Sequence, residues 1–154
     1  MPGTLLTHLR VKPEPEDDPR YYQVLIYPDK PSMYAGWSRW RAKWGLDRGV
    51  ASDPPDFEAI THSFAGIRID KDGTETDSPC IGFLCFHLNC FGAGIVSHEM
   101  THAALFWLHR LHIPLAQLDE DVALAERFCL AQGQMVRDFW SKWFAAEKRR
   151  ARRA

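Results

Sequence analysis

The alternation of apolar and polar positions predicts one strand and one helix in the first third of the chain. Residues 21–27 form a run of aromatic and β-branched side chains that ends at Pro28, which predicts a strand. In residues 31–45, apolar side chains recur at helical spacing up to a glycine, which predicts a helix. Residues 1–20 are rich in proline and acidic side chains, so we predict an extended acidic lead-in there.

A hairpin is predicted in the middle of the chain. Residues 59–70 have a strand-like pattern, and a second strand is predicted from about Cys80 to Leu88. Between them, the sequence Lys71-Asp72-Gly73-Thr74 is a strong turn signal. The two strands are therefore expected to pair with each other across a long polar connection.

Two helices are predicted after the hairpin. The first runs over about residues 95–111 and is ended by Pro114, and the second runs over about residues 119–146. The order strand, helix, hairpin, helix, helix is typical of an α+β fold, with a small, mostly antiparallel sheet packed on these two helices. We interpret residues 21–146 as a single domain and residues 147–154 as a basic C-terminal tail.

Composition and charge agree with one globular domain. The 154 residues have room for one core, and 45% hydrophobic and 25% charged residues are ordinary for a globular protein. The net charge of -1 produces no overall field that would attract nucleic acid, so nucleic-acid binding is not expected. We interpret the basic tail and four acidic residues of the lead-in as solvated and mobile; these residues are Glu14, Glu16, Asp17 and Asp18.

The sequence contains no candidate membrane span or secretion signal. No run approaches the roughly 20 apolar residues of a membrane span, and the N-terminal residues lack the apolar stretch of a signal peptide. The four cysteines are therefore expected to be reduced thiols in the cytoplasm. Because Cys80, Cys85 and Cys90 lack the spacing of a CxxC zinc pair, we interpret them as core residues.

The helix at residues 31–45 carries an aromatic stripe with basic neighbours. Tyr34, Trp37, Trp40, Arg41 and Trp44 fall on one side of it. This pattern fits a surface that binds nucleic acid or membrane, and it also fits a helix docked on the core through its tryptophans. We favour the docked helix, with its basic side chains facing water.

The strongest chemical signal is an HExxH motif in the helix predicted at residues 95–111. His98 and His102 are four residues apart, so their Cβ atoms lie about 5–6 Å apart on one helix face and both imidazoles can bind one zinc ion. Glu99 follows by about 100° of rotation, which places its carboxylate beside the metal as a general base. We therefore predict one zinc ion per chain.

The surroundings of the motif supply a further argument for a metal. Apolar side chains on nearly every side predict that this helix is buried. A buried helix that carries His, Glu and His needs partners for three polar groups, and a metal ion supplies them. The alternative is a set of three core residues with separate hydrogen bonds.

The third protein ligand stays open on these residues alone. His109 follows His102 by seven residues, about 10 Å along the helix, and is therefore too distant to share the ion. We expect His109 and His112 at the surface or the helix end. A carboxylate of the last helix is the remaining source, and the candidates are Glu120, Asp121 and Glu126.

From Gly94 to about Trp140, the chain resembles the gluzincin class of HExxH metallopeptidases, in which a glutamate of the following helix completes the site. It is most similar to small metallopeptidase-like proteins of phages and prophages, whose Leu-Asp-Glu-Glu-like helix start is matched here at residues 118–122. The resemblance implies that Glu120 is the third zinc ligand, in preference to Glu126. It also implies that the strand at about residues 80–88 is an edge strand that pairs with an extended substrate.

Two functions fit these features. The first is a zinc-dependent metallopeptidase that hydrolyses a protein or peptide substrate with a zinc-activated water and Glu99 as the general base. In this interpretation, His87 is a packed or solvent-facing strand residue rather than a transition-state donor. The second is a non-catalytic zinc protein that contacts a partner through helix 33–44 and the tail. We favour the enzyme, because structural zinc takes four protein ligands and has no need of Glu99.

Overall fold

The computed structural model of the protein describes residues 5–14, 16, 18–43, 57–64, 67–69 and 71–153. The strands are β1 (Thr7–Val11), β2 (Tyr21–Tyr27), β3 (Ile60–Ser63), β4 (Ile67–Ile69), β5 (Glu75–Asp77) and β6 (Cys80–His87). The helices are α1 (Lys30–Lys43), α2 (Ala93–Arg110), α3 (Gln117–Glu120) and α4 (Val122–Ala151), and a 3₁₀ turn spans Leu88–Cys90. The predicted α+β class, with a long C-terminal helix, is confirmed.

The main sheet has four strands in the order β1, β2, β6, β3. β1 pairs with β2 and β3 pairs with β6 in antiparallel fashion, whereas β2 and β6 run parallel. The predicted pairing of the two middle segments is confirmed for β3 and β6, and β4 and β5 form a separate hairpin around the predicted turn. The sheet is therefore mixed, with two antiparallel pairings and one parallel pairing.

Strand β6 is buried along its whole length because helices cover both faces of the sheet. On one face, Phe86 belongs to the cluster that includes Trp107 of α2 and Phe139 of α4. On the other face, Phe83 and Cys85 belong to the cluster of α1. The nearly continuous apolar sequence of β6 is typical of a strand covered on both sides.

The predicted lead-in contains the edge strand β1, which the sequence analysis did not assign. Asp18, expected to be solvated, is 6% exposed. Its carboxylate accepts hydrogen bonds from the indole nitrogen of Trp107, at 2.9 Å, and from Arg20. The interpretation of Asp18 as solvated is wrong, because a buried indole N–H on α2 needs an acceptor and Asp18 supplies one.

We expect Asp18→Ala to lower the free energy of unfolding by about 1–3 kcal/mol, because it leaves the buried Trp107 N–H without an acceptor. Burial raises the pKa of Asp18, but the hydrogen bonds from Trp107 and Arg20 more than reverse this, so the pKa lies below 3.8. The charged carboxylate therefore stabilises the fold above pH 4 or so, and this contribution is lost as the pH falls through the lowered pKa. Denaturant unfolding monitored by circular dichroism between about pH 2 and 7 measures both effects.

Asp18→Asn is the matched control for this prediction. The amide keeps an oxygen that can accept from Trp107 but loses the charge, so a smaller loss of stability is expected. The pH dependence below about pH 4 should weaken in this variant. Equal stability of wild type and Asp18→Ala at neutral pH would contradict the proposed role of Asp18.

The long C-terminal helix extends further than predicted. α4 continues to Ala151, so the segment interpreted as a mobile tail starts as helix. The guanidinium of Arg150 donates to the hydroxyl of Thr7 at 2.7 Å and lies over the ring of Trp143. These contacts join the end of α4 to β1, and the interpretation of Arg150 as fully solvated is wrong.

The aromatic stripe of α1 faces the core, as predicted. Trp37 is 8% exposed, and Tyr34 and Trp40 pack against the same buried cluster. Arg41 was expected to face water, but it is 7% exposed and lies over the ring of Trp37, with its guanidinium carbon 4.7 Å from the ring centroid. Trp44 lies outside the described residues. Within the described part of the chain, no helix combines the length and the apolar character needed to cross a membrane.

All four cysteines are free thiols. Cys80 and Cys85 are core residues, as predicted, and Cys129 is exposed on α4. Cys90 was also expected in the core, but it is only partly buried, because it lies in the 3₁₀ turn after β6 has ended.

Candidate metal centre

Helix α2 presents the two histidines of the HExxH motif side by side. The Nε2 atoms of His98 and His102 are 3.1 Å apart. Two nitrogens bound to one tetrahedral zinc ion at about 2.0–2.1 Å are separated by about 3.3 Å. The structure therefore brings these two side chains into an arrangement that fits two ligands of one metal ion.

The burial of the motif differs from the expectation. His98 and His102 are exposed, and only Glu99 is buried, with 7% of its surface exposed. Because water can solvate two exposed imidazoles, the argument that they need a metal as a buried partner does not hold. The separation of the two Nε2 atoms, and not burial, is what permits a shared ion, and the same separation permits a hydrogen bond between the two rings.

Glu99 is held in place by the edge of the sheet. The hydroxyl of Thr61, in β3, donates a hydrogen bond to Oε2 of Glu99. The same hydroxyl oxygen lies 3.3 Å from the backbone oxygen of Glu99. This contact fixes the orientation of the carboxylate beside the two histidines, which is the position expected of a general base. No sequence signal singled out Thr61, because its role depends on which strand lies next to α2.

A cavity of about 330 Å³ opens over this group. Its polar lining includes the three motif side chains and Thr61. Phe57 and Phe106 line it as well and give it aromatic walls. A second cavity, of about 410 Å³, continues past His98 and Glu99 to Glu58. The space beside the two histidines is therefore partly apolar.

The strand next to the site is β3, not β6 as the resemblance implied. β6 lies in the centre of the sheet, between β2 and β3. It cannot accept a further strand, because both of its edges are already paired. β3 pairs on one side with β6, and among the described residues no strand lies on its other side. Among the described strands, β3 is therefore the one that has an unpaired edge beside α2.

The structure does not bring Glu120 to the two histidines. α2 and α4 run antiparallel, since Ser97 contacts Gln132 while Trp107 contacts Arg127. The part of α4 level with His102 thus lies between residues 127 and 132. Glu120 precedes that part by at least seven residues, and it is exposed at the end of α3, a separate helix.

The other two carboxylate candidates also do not lie within ligand distance of the two histidines. Asp121 is the N-cap of α4, and its side chain accepts from the backbone nitrogen of Leu124. Glu126 lines a cavity on another part of the surface, together with Glu14 and Arg127. Among the described residues, no third His, Cys, Asp or Glu lies within ligand distance of both motif histidines. Ligation by Glu120 stays a prediction from the resemblance, and it requires α3 to move towards α2.

We expect Glu126→Ala to leave zinc affinity unchanged, because Glu126 lines a different cavity from the one that contains His98 and His102. Glu120→Ala is the matched variant: if Glu120 completes the site, its removal weakens zinc binding by orders of magnitude. Competition with a fluorescent zinc chelator measures both affinities. A loss of affinity in Glu126→Ala would contradict the placement of α4.

The structure also reveals a group that the sequence analysis did not identify. Glu58, His87 and Cys90 could hold a metal ion, since one ligand atom of each lies within 4.8 Å of the others. His87 ends β6, Cys90 follows in the 3₁₀ turn, and Glu58 precedes β3. In the antiparallel register of β3 and β6, Ile60 lies opposite Cys85, so continuation of this register places Glu58 opposite His87. Only the strand pairing shows this, because 29 positions separate residue 58 from residue 87.

Comparison with protein-family models, with curated proteins and with solved structures gives no match to this chain. The resemblance to gluzincins therefore rests on the HExxH motif and on residues 118–122 alone. Any functional conclusion has to come from the geometry around α2 and β3.

Proposed function

We propose that the protein is a zinc-dependent metallopeptidase with its active site between α2 and β3. The observation that carries this proposal is the 3.1 Å separation of the His98 and His102 Nε2 atoms beside the oriented carboxylate of Glu99. A structural zinc site has four protein ligands and does not need a neighbouring base. Here two exposed histidines face a cavity, which leaves space for water and a substrate.

Each group in the site has a distinct chemical task. His98 and His102 would hold a zinc ion, which supplies Lewis acidity that acidifies a water molecule and polarises a peptide carbonyl. Glu99 accepts the proton of the attacking water and returns it to the leaving nitrogen. The hydroxyl of Thr61 orients Glu99 during both transfers, because it donates to Oε2 and leaves Oε1 for the proton.

The substrate class follows from the strand beside the site. An extended peptide can pair with the outer edge of β3 through main-chain hydrogen bonds, as an added strand. Thr61 then aligns the scissile bond with α2, since the same residue contacts Glu99. Phe57 and Phe106 favour an apolar side chain close to that bond.

We expect the purified protein to hydrolyse peptides. A chelator should abolish this activity, and added zinc should restore it. Internally quenched fluorescent peptides measure the rate, and peptides with apolar residues next to the scissile bond should react faster than acidic ones. His102→Ala, prepared in parallel, is the control, since activity that persists in it comes from a contaminant. A protein that binds zinc but cleaves no peptide of the set would favour the non-catalytic alternative.

A further inference from the structure

We propose that Glu58, His87 and Cys90 bind a second zinc ion, separate from the ion proposed at His98 and His102. The three ligand atoms lie within 4.8 Å of one another at the ends of two paired strands. A thiolate, an imidazole and a carboxylate form a donor set that suits zinc, because borderline-soft zinc accepts sulfur, nitrogen and oxygen ligands. The fourth position is then open to water.

The strongest support comes from the buried imidazole of His87. The side chain is 3% exposed, and neither ring nitrogen has a hydrogen-bond partner among the described residues. A buried polar group without a partner is costly and rare in native proteins. Nε2 lies 3.4 Å from Oε2 of Glu58, a separation typical of two ligand atoms on one tetrahedral zinc ion. A metal ion between these atoms would give the imidazole a partner that no hydrogen bond supplies.

The hydrogen bonds of the group favour metal binding over nucleophilic catalysis by Cys90. The thiol donates its proton to Oε2 of Glu58 and not to the imidazole of His87. In a cysteine nucleophile a histidine base takes the thiol proton, and neither ring nitrogen of His87 forms a hydrogen bond with the thiol. Zinc binding replaces that proton, which leaves to solvent as the sulfur becomes a thiolate ligand.

Lys30 forms an ion pair with Glu58. Its Nζ lies 2.9 Å from Oε1 of Glu58. The other oxygen, Oε2, is the one that faces Cys90 and His87. Glu58 can therefore keep its ion pair with Lys30 while Oε2 binds zinc.

The ligands of the two proposed zinc sites come from different elements of the fold. Thr61 and Ala59 of the β3 segment face α2, and Glu58 contacts Lys30 of α1. No side chain is shared, although Glu58 and His98 both line the cavity of about 410 Å³. The second ion would tie the start of β3 to the end of β6, and so hold in place the strand that orients Glu99.

Cobalt substitution tests this proposal independently of peptidase activity. After chelator treatment, Co²⁺ added to the wild-type protein should produce a thiolate-to-cobalt charge-transfer band in the near ultraviolet, because Cys90 supplies a sulfur ligand. Cys90→Ser should abolish the band, and Glu58→Gln should weaken cobalt affinity at least about tenfold. Cys129→Ser, at an exposed cysteine outside the group, should keep the band at full intensity.

A variant of the first site separates the two proposals. His98→Ala should keep the thiolate–cobalt band, since the proposed ligands of the second ion do not include it. Circular dichroism confirms that each variant is folded. A folded wild-type protein without the band, or a band that persists in Cys90→Ser, overturns the second site, whereas a normal band in an inactive protein leaves it intact and contradicts only the proposed peptidase.

Discussion

Glu99→Gln is expected to lower the rate of peptide hydrolysis by about 10²–10⁴-fold while the protein keeps its zinc. The amide is close in size to the carboxylate and can still accept the hydrogen bond from Thr61. It cannot accept a proton from water, so both proton transfers lose their base. Single-turnover rates with a fluorescent peptide, together with zinc content, measure the effect.

Thr61→Val is the companion variant for this prediction. Valine removes the hydroxyl that orients the Glu99 carboxylate but retains the base. We therefore expect a smaller loss of activity than in Glu99→Gln, with unchanged zinc content. If wild type and Glu99→Gln hydrolyse peptides at the same rate, Glu99 is not the base, and the non-catalytic zinc protein becomes the better interpretation.

His98→Ala and His102→Ala are each expected to weaken zinc binding at the first site by more than about 100-fold. Loss of a residue that only supports a ligand already costs about 10–100-fold in affinity, and loss of a ligand costs more. Their Nε2 atoms are 3.1 Å apart, so each variant removes one of two adjacent donors. Elemental analysis and chelator competition measure the loss, and peptidase activity should fall with it.

His109→Ala is the matched control. His109 is exposed on the same helix, one residue before its end. It lies seven residues beyond His102, so it should not affect zinc affinity. Equal zinc affinity in all three histidine variants and the wild type would show that α2 holds no metal. That result would remove the basis of the proposed function.

The sequence predicted best those elements in which the apolar positions follow a regular pattern over the whole element. β2 was predicted with its observed bounds, and α2 to within two residues, because each has a consistent run of apolar positions. β1 was missed, since its five residues lie among prolines and acidic side chains, and only pairing with β2 makes them a strand. Its stability comes from tertiary contacts rather than from local preference.

The candidate site was predictable only within one helix. The spacing of His98, Glu99 and His102 places them together whatever the rest of the chain does. Thr61 meets Glu99, and Glu58 meets His87, through strand order and register, which no local pattern encodes. For the same reason, the helix that follows α2 could not be positioned from sequence. The position of Glu120 depends on where the turn between the helices ends, and the structure does not bring it within ligand distance of both His98 and His102.

Because β6 is central in the sheet and late in the chain, the sheet can be completed only late in synthesis. β1 and β2 are neighbours in sequence and can pair early, but the 52 residues from 28 to 79 separate β2 from its other partner. Closing a loop of that length is slow compared with forming a hairpin. Until residue 87 has been synthesised, the apolar strand β2 has one unpaired edge, which is prone to associate with other chains. Nascent chains shorter than this should therefore depend on chaperones, whereas longer ones can complete the sheet by themselves.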